Sequence, residues 1–495
     1  MSHTVNRSSS IAAWVAILAF FLTASPAPAQ DETNTKPIKP RNIIIIFADD
    51  VAWNDLSCYG ATHIQTPNLD RLAAQGIRFT DAHVASPFCS ASRYALLSGD
   101  VAVRNAKVKP VLQPGDPYVF SDNQINLPRL MKKANYTTAL IGKWHLGIGA
   151  TTGSQDWNGV LRPGALEAGF DYFYGYSTTN DRTPCVYIDQ DRVVNLDPND
   201  PLVVTQLADE TLGTSHMVAG IRRATAQKGG ASATWKDEQM AVHFTEKVVQ
   251  YIETHRSEPF FLLFTSHNIH NPTRPHPRFQ GTSRAGQRGD TVHELDWSVG
   301  EILKKLDALS LTDDTLILFS SDNGGAGKRP DNPSEHDFGG PFRGQKSTPY
   351  EGGCRVPTIL SWRSQVRGGQ VSDVTWSMLD VLASFAALTG QTLEPNEALD
   401  SWNMLPALLG KDTKQSRPFL MTIGGRYNYL AKTIRQDGWK LIDYTEQPGK
   451  PELFHLERDL GETTDRAADF SEKVRLLREA LNRELSRTTT VSGQR

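Results

Sequence analysis

The stretch Arg41-Asn42-Ile43-Ile44-Ile45-Ile46-Phe47-Ala48-Asp49-Asp50 sets the fold class. The continuous apolar run from Ile43 to Phe47 reads as a short strand buried on both faces, as in a parallel sheet. It stops in two adjacent carboxylates. The same construction recurs along the chain: Thr137–Ile141 precedes Gly142-Lys143-Trp144-His145, Phe260–Phe264 precedes Thr265-Ser266-His267, and Leu316–Phe319 precedes Ser320-Ser321-Asp322-Asn323. In open α/β sheets, ligands bind outside the carboxyl ends of the strands. The Asp-Asp, Lys-His, His and Asp-Asn groups are therefore expected to converge on one crevice. Helices fit between these strands. Thr66-Pro67 followed by Leu69, Leu72, Ala73 and Gly76 reads as a cap, a proline in the first turn, an apolar face and a C-terminal glycine, and 290–309 has similar spacing.

The organisation outside those strands is plainer. A chain of 495 residues can bury one large core and a smaller one. Its net charge of −3, with mixed signs, gives no electrostatic case for nucleic acid or a polybasic membrane contact. His3 and Arg7, the apolar stretch Ile11 to Ala24, and Ala27-Pro28-Ala29 read as an export signal over 1–29. The apolar stretch is shorter than the ~20 residues of a spanning helix, which disfavours an uncleaved anchor and stable membrane insertion. Residues 30–40 read as a polar linker. Residues 41–390 form the expected catalytic domain, and 151–235, rich in Gly, Asp, Asn and Thr, read as an insertion near the site mouth. Beyond Gly390, the stretches Leu430–Ile434, Trp439–Tyr444 and Leu453–Leu456 look like short strands, and Ser471 to Arg487 like a terminal helix. The range 391–495 is thus expected to be a small α+β subdomain. Cys58, Cys89, Cys185 and Cys354 lack the paired spacing of a zinc site, and which of them pair is not readable from the sequence.

Asp49, Asp50, Asp322 and Asn323 are oxygen donors without a nearby Cys or His ligand pattern. Such a set suits Ca²⁺ or Mg²⁺ better than zinc. Taken singly, Asp-Asp and Asp-Asn pairs are common turn or cap residues; at the ends of two buried strands they point to a metal. The segment Ser86-Pro87-Phe88-Cys89-Ser90-Ala91-Ser92-Arg93 adds a cysteine four residues before an arginine, at a loop-to-helix junction. Arg93 is expected one helical turn from Cys89 and on the same face.

This segment, continuing into Tyr94-Ala95-Leu96-Leu97-Ser98-Gly99, resembles the signature of the type I sulfatases, whose Cys-x-Pro-Ser-Arg motif carries a cysteine oxidised to formylglycine. Ala91 stands where that motif has proline. The resemblance covers nearly the whole chain from Arg41. It implies an alkaline-phosphatase-like sandwich, a large mixed, mostly parallel sheet between helices, with a small antiparallel sheet in the C-terminal subdomain. It also implies that a formylglycine-generating enzyme converts Cys89, and that Ca²⁺ is held by Asp49, Asp50, Asp322, Asn323 and the modified Cys89. One hydroxyl of the hydrated aldehyde becomes the nucleophile on the metal. By the same resemblance Arg93 supports the formylglycine, Lys143 binds sulfate oxygen, and His145 takes the proton that releases sulfate. His267 and Lys346 contact sulfate and protonate the departing alcohol. His270 and, more weakly, His276 are further candidates.

The implied activity is hydrolysis of a sulfate ester, on a sulfated glycan or a small sulfate ester, by an exported periplasmic or secreted enzyme. Asp181-Arg182-Thr183-Pro184-Cys185-Val186-Tyr187 and His276-Pro277-Arg278-Phe279 look like exported bacterial glycan sulfatases and suggest a galactose or N-acetylgalactosamine 6-sulfate. Asp181, Arg182 and His270 are then the expected substrate contacts. Two other readings stay open: a phosphate or phosphonate ester hydrolase of the same superfamily, which would more often carry Ser or Thr at position 89, and an inactive protein that binds sulfated glycan. Oligomeric state is not readable.

Overall fold

The computed structural model describes residues 39–205, 217–218, 221–222, 225–327, 336–425, 428–445 and 450–487. The expected signal segment and residues 30–38 of the linker lie outside the described residues. Asn42–Ala48 forms the strand expected from its isoleucines. It pairs in parallel with Phe260–Thr265 on one side and Thr315–Ser321 on the other; Thr137–Lys143 and then Tyr172–Tyr176 extend the parallel run beyond Phe260–Thr265. The register brings the four chemistry-bearing ends level: Ile46 lies opposite Phe264 and Phe319, and Phe264 lies opposite Ile141. Shorter strands complete a sheet of ten. Thr358–Ser361 and Ile77–Phe79 join antiparallel on one side, followed by Gln370–Ser372; Ile188–Asp189 and Arg192–Val193 join on the other.

Alternate residues of the first strand feed two cores, which explains why the run is apolar without interruption. Ile43, Ile45 and Phe47 pack with Phe88, Tyr94, Leu97, Leu130 and Leu382, on the face covered by helices Cys89–Ser98, Leu127–Lys133 and Val381–Leu388. Ile44, Ile46 and Ala48 pack with Leu69, Phe244, Val248, Leu295 and Val299, under helices Pro67–Ala74, Met240–Thr254 and Gly286–Ala308. This is the expected sheet between two helical layers.

Two local expectations are corrected. The stretch 151–235 is not wholly an insertion, because Tyr172–Tyr176 is a strand of the main sheet. Its sequence, Tyr-Phe-Tyr-Gly-Tyr, has no aliphatic run to announce it. Thr66 does stand at the N-cap of Pro67–Ala74, but its side chain does not cap the helix. Its hydroxyl instead joins Ser57 and Asp70.

The C-terminal part holds an antiparallel sheet ordered Leu420–Gly425, Asn428–Gln436, Trp439–Tyr444, Glu452–His455, with helix Ser471–Ser486 on it. Met421, Ile423, Ile434 and Leu441 share one core with Leu477 and Leu481 of that helix, with Ala85, and with Ala95 of the Cys89 helix. Gly424 sits so close to the main body that a Cβ there would lie 2.9 Å from Pro87 and 3.0 Å from Phe88. No disulfide links the cysteines among the described residues, and no described helix is long and apolar enough to cross a membrane.

Candidate active site

The carboxyl ends of the central strands meet as the sequence suggested. Asp49 follows its strand and donates its N–H to the Asn268 carbonyl at 2.8 Å, in the loop after Phe260–Thr265. Asp50 takes a left-handed backbone (φ 65°) and donates its N–H to Asp322 Oδ1 at 3.3 Å. His145 is also left-handed (φ 56°). Such conformations are uncommon outside glycine and concentrate at functional turns. Gly142 allows the close approach of two strand ends, since a Cβ there would lie 2.0 Å from the Thr265 carbonyl oxygen.

The charges interlock. Lys143 Nζ lies 2.6 Å from Asp49 Oδ2. Arg93, one turn into the helix that Cys89 opens, places Nη2 2.8 Å from Asp322 Oδ2 and 3.8 Å from Asp49 Oδ2. Those two carboxylates therefore share a single guanidinium. Lys346 pairs with Asp50 Oδ1, which also accepts from Asn323 Nδ2 at 2.7 Å. Three carboxylates thus meet three cations, all deeply buried except Lys346, whose side chain is 14% exposed. Burial pushes Asp322 up, helped by Asp49, to about 6. Burial also opposes charge on Asp50, but Lys346 and His270 outweigh it and hold that carboxyl below its usual range.

Four buried atoms in this cluster have no hydrogen-bond partner: Asp49 Oδ1, Asn323 Oδ1, His145 Nδ1 and His267 Nδ1. Orphaned buried acceptors are costly unless something fills them. Ligand atoms of Asp49, Asp50 and His270 also lie within 4.8 Å of one another. A hard cation suits this oxygen-rich set and would satisfy both free oxygens. His270 as part of that group is new; the sequence had suggested it only as a substrate contact. Its Nδ1 lies 3.0 Å from Asn180 Oδ1.

Cys89 is the first residue of its helix, 1% exposed. Burial raises its thiol above the ordinary value, against the pull of Lys143 and Lys346. An unmodified Cys89 would therefore be a neutral thiol at neutral pH, not a thiolate nucleophile. Burial likewise keeps the nearby imidazoles neutral: His267 falls to about 3 and His270 to about 4. His145 drops well below its usual value through burial, then Lys143 and Arg93. Its Nε2 lies 3.0 Å from the Leu112 carbonyl.

Above this floor opens a cavity of about 730 Å³. Cys89, Lys346 and His270 line it, as do Asp181 and Arg182. Arg182 is held on three sides: Nε donates to Gln113 Oε1 at 3.2 Å, and Nη1 to Thr179 Oγ1 at 2.6 Å and Asp181 Oδ1 at 2.8 Å. The Asp181–Arg182 ion pair exists, and it exists on the cavity wall. His276 is not brought to this cavity; its ring packs against Phe279.

Sequence reasoning missed the wall made by Lys109, Pro110, Val111 and Gln113. It also missed Tyr176, whose buried hydroxyl has no partner and which pairs with Lys143 across the parallel strands. Neither carries a motif; only the strand pairing and the fold bring them in.

The chain is similar to known proteins in sequence and fold. The profile of the Sulfatase family matches residues 41–391. The N-acetylgalactosamine-6-O-sulfatase of Bacteroides thetaiotaomicron is 37% identical over 93% of this chain and 96% of its own length. Human N-acetylgalactosamine-6-sulfatase is 34% identical over 86% of this chain and 81% of its own. A solved 6S-sulfatase structure from work on glycosaminoglycan metabolism by Bacteroides thetaiotaomicron superposes with a TM-score of 0.85 at 37% identity, covering 91% of this chain and 100% of that one.

Proposed function

We propose that this chain, which belongs to the sulfatase family and is a sulfuric ester hydrolase, removes the 6-sulfate from a sugar of the galacto series, N-acetylgalactosamine or galactose. The observation that carries this reading is one cavity with Cys89 and Lys346 at its base and the pinned Asp181–Arg182 pair on its wall, in a chain 37% identical to an N-acetylgalactosamine-6-O-sulfatase.

Asp49, Asp50, Asp322 and Asn323 would hold Ca²⁺, which supplies Lewis-acid activation of an oxygen nucleophile and offsets the sulfate charge. Formylglycine at position 89 would supply that nucleophile as its hydrate. The chain's own residues do the rest. Arg93 and Lys143 hold the floor carboxylates in place, and Lys143 offers a cation to a sulfate oxygen. His145, neutral and with Nδ1 free, accepts the proton that must leave before sulfate departs. His267 and Lys346 stand as donors to the bridging oxygen of the sugar. Preorganised donors of this kind typically contribute roughly 3–4 kcal/mol each to the barrier. Asp181 and Arg182 face sugar hydroxyls, and their mutual pairing fixes both in advance of binding. The formylglycine at Cys89 requires a separate maturation enzyme, and export through the segment 1–29 belongs to the same proposal. A phosphoester hydrolase would more often use Ser or Thr where Cys89 stands.

Sulfate release from a panel of monosaccharide sulfates tests the substrate. N-acetylgalactosamine 6-sulfate and galactose 6-sulfate should be turned over, with Arg182→Ala raising KM for these sugars by about tenfold, the worth of one charged hydrogen bond, and sparing nitrophenyl sulfate. Preference for a gluco-configured or 4-sulfated sugar, or no effect of Arg182 on sugar kinetics, would sink the assignment.

A further inference from the structure

A second buried charge cluster lies where the C-terminal sheet meets the catalytic body. Lys440 Nζ sits 2.9 Å from Glu351 Oε1 and 2.8 Å from Glu462 Oε1. Arg355 Nη2 lies 2.8 Å from Glu351 Oε2 and 2.9 Å from Asp81 Oδ1. Arg435 forks onto both oxygens of Asp81 at 2.7 Å each, and His83 Nε2 approaches Glu351 Oε2 at 3.0 Å. Asp81, His83 and Glu351 offer ligand atoms close enough for a metal. Arg355, Arg435 and Lys440 already neutralise those carboxylates, so the cluster is an ion-pair network.

Its geometry leads to the active site through Glu462. Glu462 Oε2 accepts the Glu351 N–H at 2.7 Å, and its carbonyl accepts Arg343 Nη1 at 2.7 Å. Arg343 and Glu351 bracket the loop that carries Lys346, and the Arg343 carbonyl accepts the Gly352 N–H at 2.8 Å, closing the loop on itself. Inside that bracket the Lys346 N–H donates to Gly325 and the Ser347 N–H to Pro87, two residues before Cys89. Glu462, a completely buried residue of the C-terminal subdomain, thus ties both ends of a catalytic loop, the Glu351 end through its carboxylate and the Arg343 end through its backbone carbonyl. A buried pair of this kind is weak evidence for stability in itself. Its two loop contacts are what a positioning role needs.

We propose that Glu462, locked by Lys440, is a positioning residue that sets the reach of Lys346 to the leaving oxygen. The C-terminal subdomain is then part of the catalytic apparatus without touching substrate. This rests on the reading of Lys346 as a donor to the departing sugar. A small misplacement of such a group costs turnover steeply, and the cost falls on leaving groups that need a proton. Alkyl sugar sulfates need it; nitrophenyl sulfate does not.

The test compares kcat on a sugar 6-sulfate with kcat on nitrophenyl sulfate, in full-length protein with equal Cys89 conversion. Glu462→Ala should lower the sugar-to-aryl ratio by about tenfold or more. Glu462→Gln, which keeps an acceptor for the Glu351 N–H, should recover part of it. If Glu462→Ala fails to fold, Arg343→Ala cuts the other tie from the loop side, where the residue is exposed, and should lower the ratio in the same direction. Equal losses on both substrates, or a lower melting temperature with an unchanged ratio, would reduce the network to a structural clamp. If the wild type leaves the sugar 6-sulfate intact while hydrolysing nitrophenyl sulfate, the substrate reading fails first, and the two failures are distinguishable.

Discussion

Ala91 occupies the third position of the helix that Cys89 opens. The first helical bond there runs from Ser92 N–H to the Phe88 carbonyl at 3.0 Å, so the Ala91 N–H is one of the orphan donors of a helix start. Proline would cost no intrahelical bond at that position. Before folding the residues differ more: proline biases the preceding residue toward extended backbone, whereas alanine is the best helix former. A maturation enzyme that reads an extended segment should find this one less prepared. Ala91→Pro is expected to raise the formylglycine fraction of protein made in a foreign host, without changing turnover per converted site, as read by mass spectrometry of the Cys89 peptide. Full conversion of the wild type in that host would remove the handicap. His267 gives a second prediction at this scale. His267→Ala should cost about tenfold more on a sugar sulfate than on nitrophenyl sulfate, because a hydrogen-bond donor at the departing oxygen matters most for poor leaving groups; equal costs would leave His267 only a sulfate contact. Most of the site's floor was legible from single residues because each strand run ends in its own chemistry. Gln113, Leu112 and Asn268 were not. They act through a backbone carbonyl or an amide, groups that every stretch of sequence offers.

Helix Gly286–Ala308 shows what the element scale adds. Its Glu294, buried under the site, accepts Asn268 Nδ2 at 2.9 Å and the His276 N–H at 2.9 Å, while the Asn268 carbonyl holds the Asp49 N–H. Burial pushes the Glu294 carboxyl up to about 7. The folded state therefore keeps a proton that the unfolded state releases near its ordinary value, and stability falls as pH rises between those two points. The difference is on the order of 3 kcal/mol. Glu294→Gln should flatten the decline in urea-melt stability between pH 4.5 and 7.5 relative to wild type; parallel pH slopes would show that Glu294 does not titrate in that window. Elements with continuous aliphatic runs were read from sequence nearly to their ends, as was Trp439–Tyr444. Tyr172–Tyr176 and Leu420–Gly425 escaped because their apolar residues are mixed with Gly, Thr and Tyr, and pairing partners alone make them strands.

Across the whole molecule, two charge-balanced buried clusters do different work. The network around Glu351 draws on widely separated parts of the chain, and its members read as surface charges until the fold assembles them. The active-site cluster balances its three carboxylates with Arg93, Lys143 and Lys346, so that a divalent cation held there, as proposed, would offset the arriving sulfate. Calcium at a hundred times its dissociation constant should then stabilise the fold by about 2.7 kcal/mol, seen as a melting temperature a few degrees higher than in chelator, and Asp50→Asn should weaken that response. A melting temperature indifferent to calcium would argue against the ligand set. The central claim is that sulfate is released at a nucleophile made from Cys89. The measurement that meets it most directly is the rate of sulfate release from N-acetylgalactosamine 6-sulfate, plotted against the formylglycine fraction of the Cys89 peptide across preparations that differ in conversion, with Cys89→Ala as the zero point. The account predicts a straight line through the origin and no turnover in Cys89→Ala. Unconverted protein or Cys89→Ala releasing sulfate at the wild-type rate would contradict it.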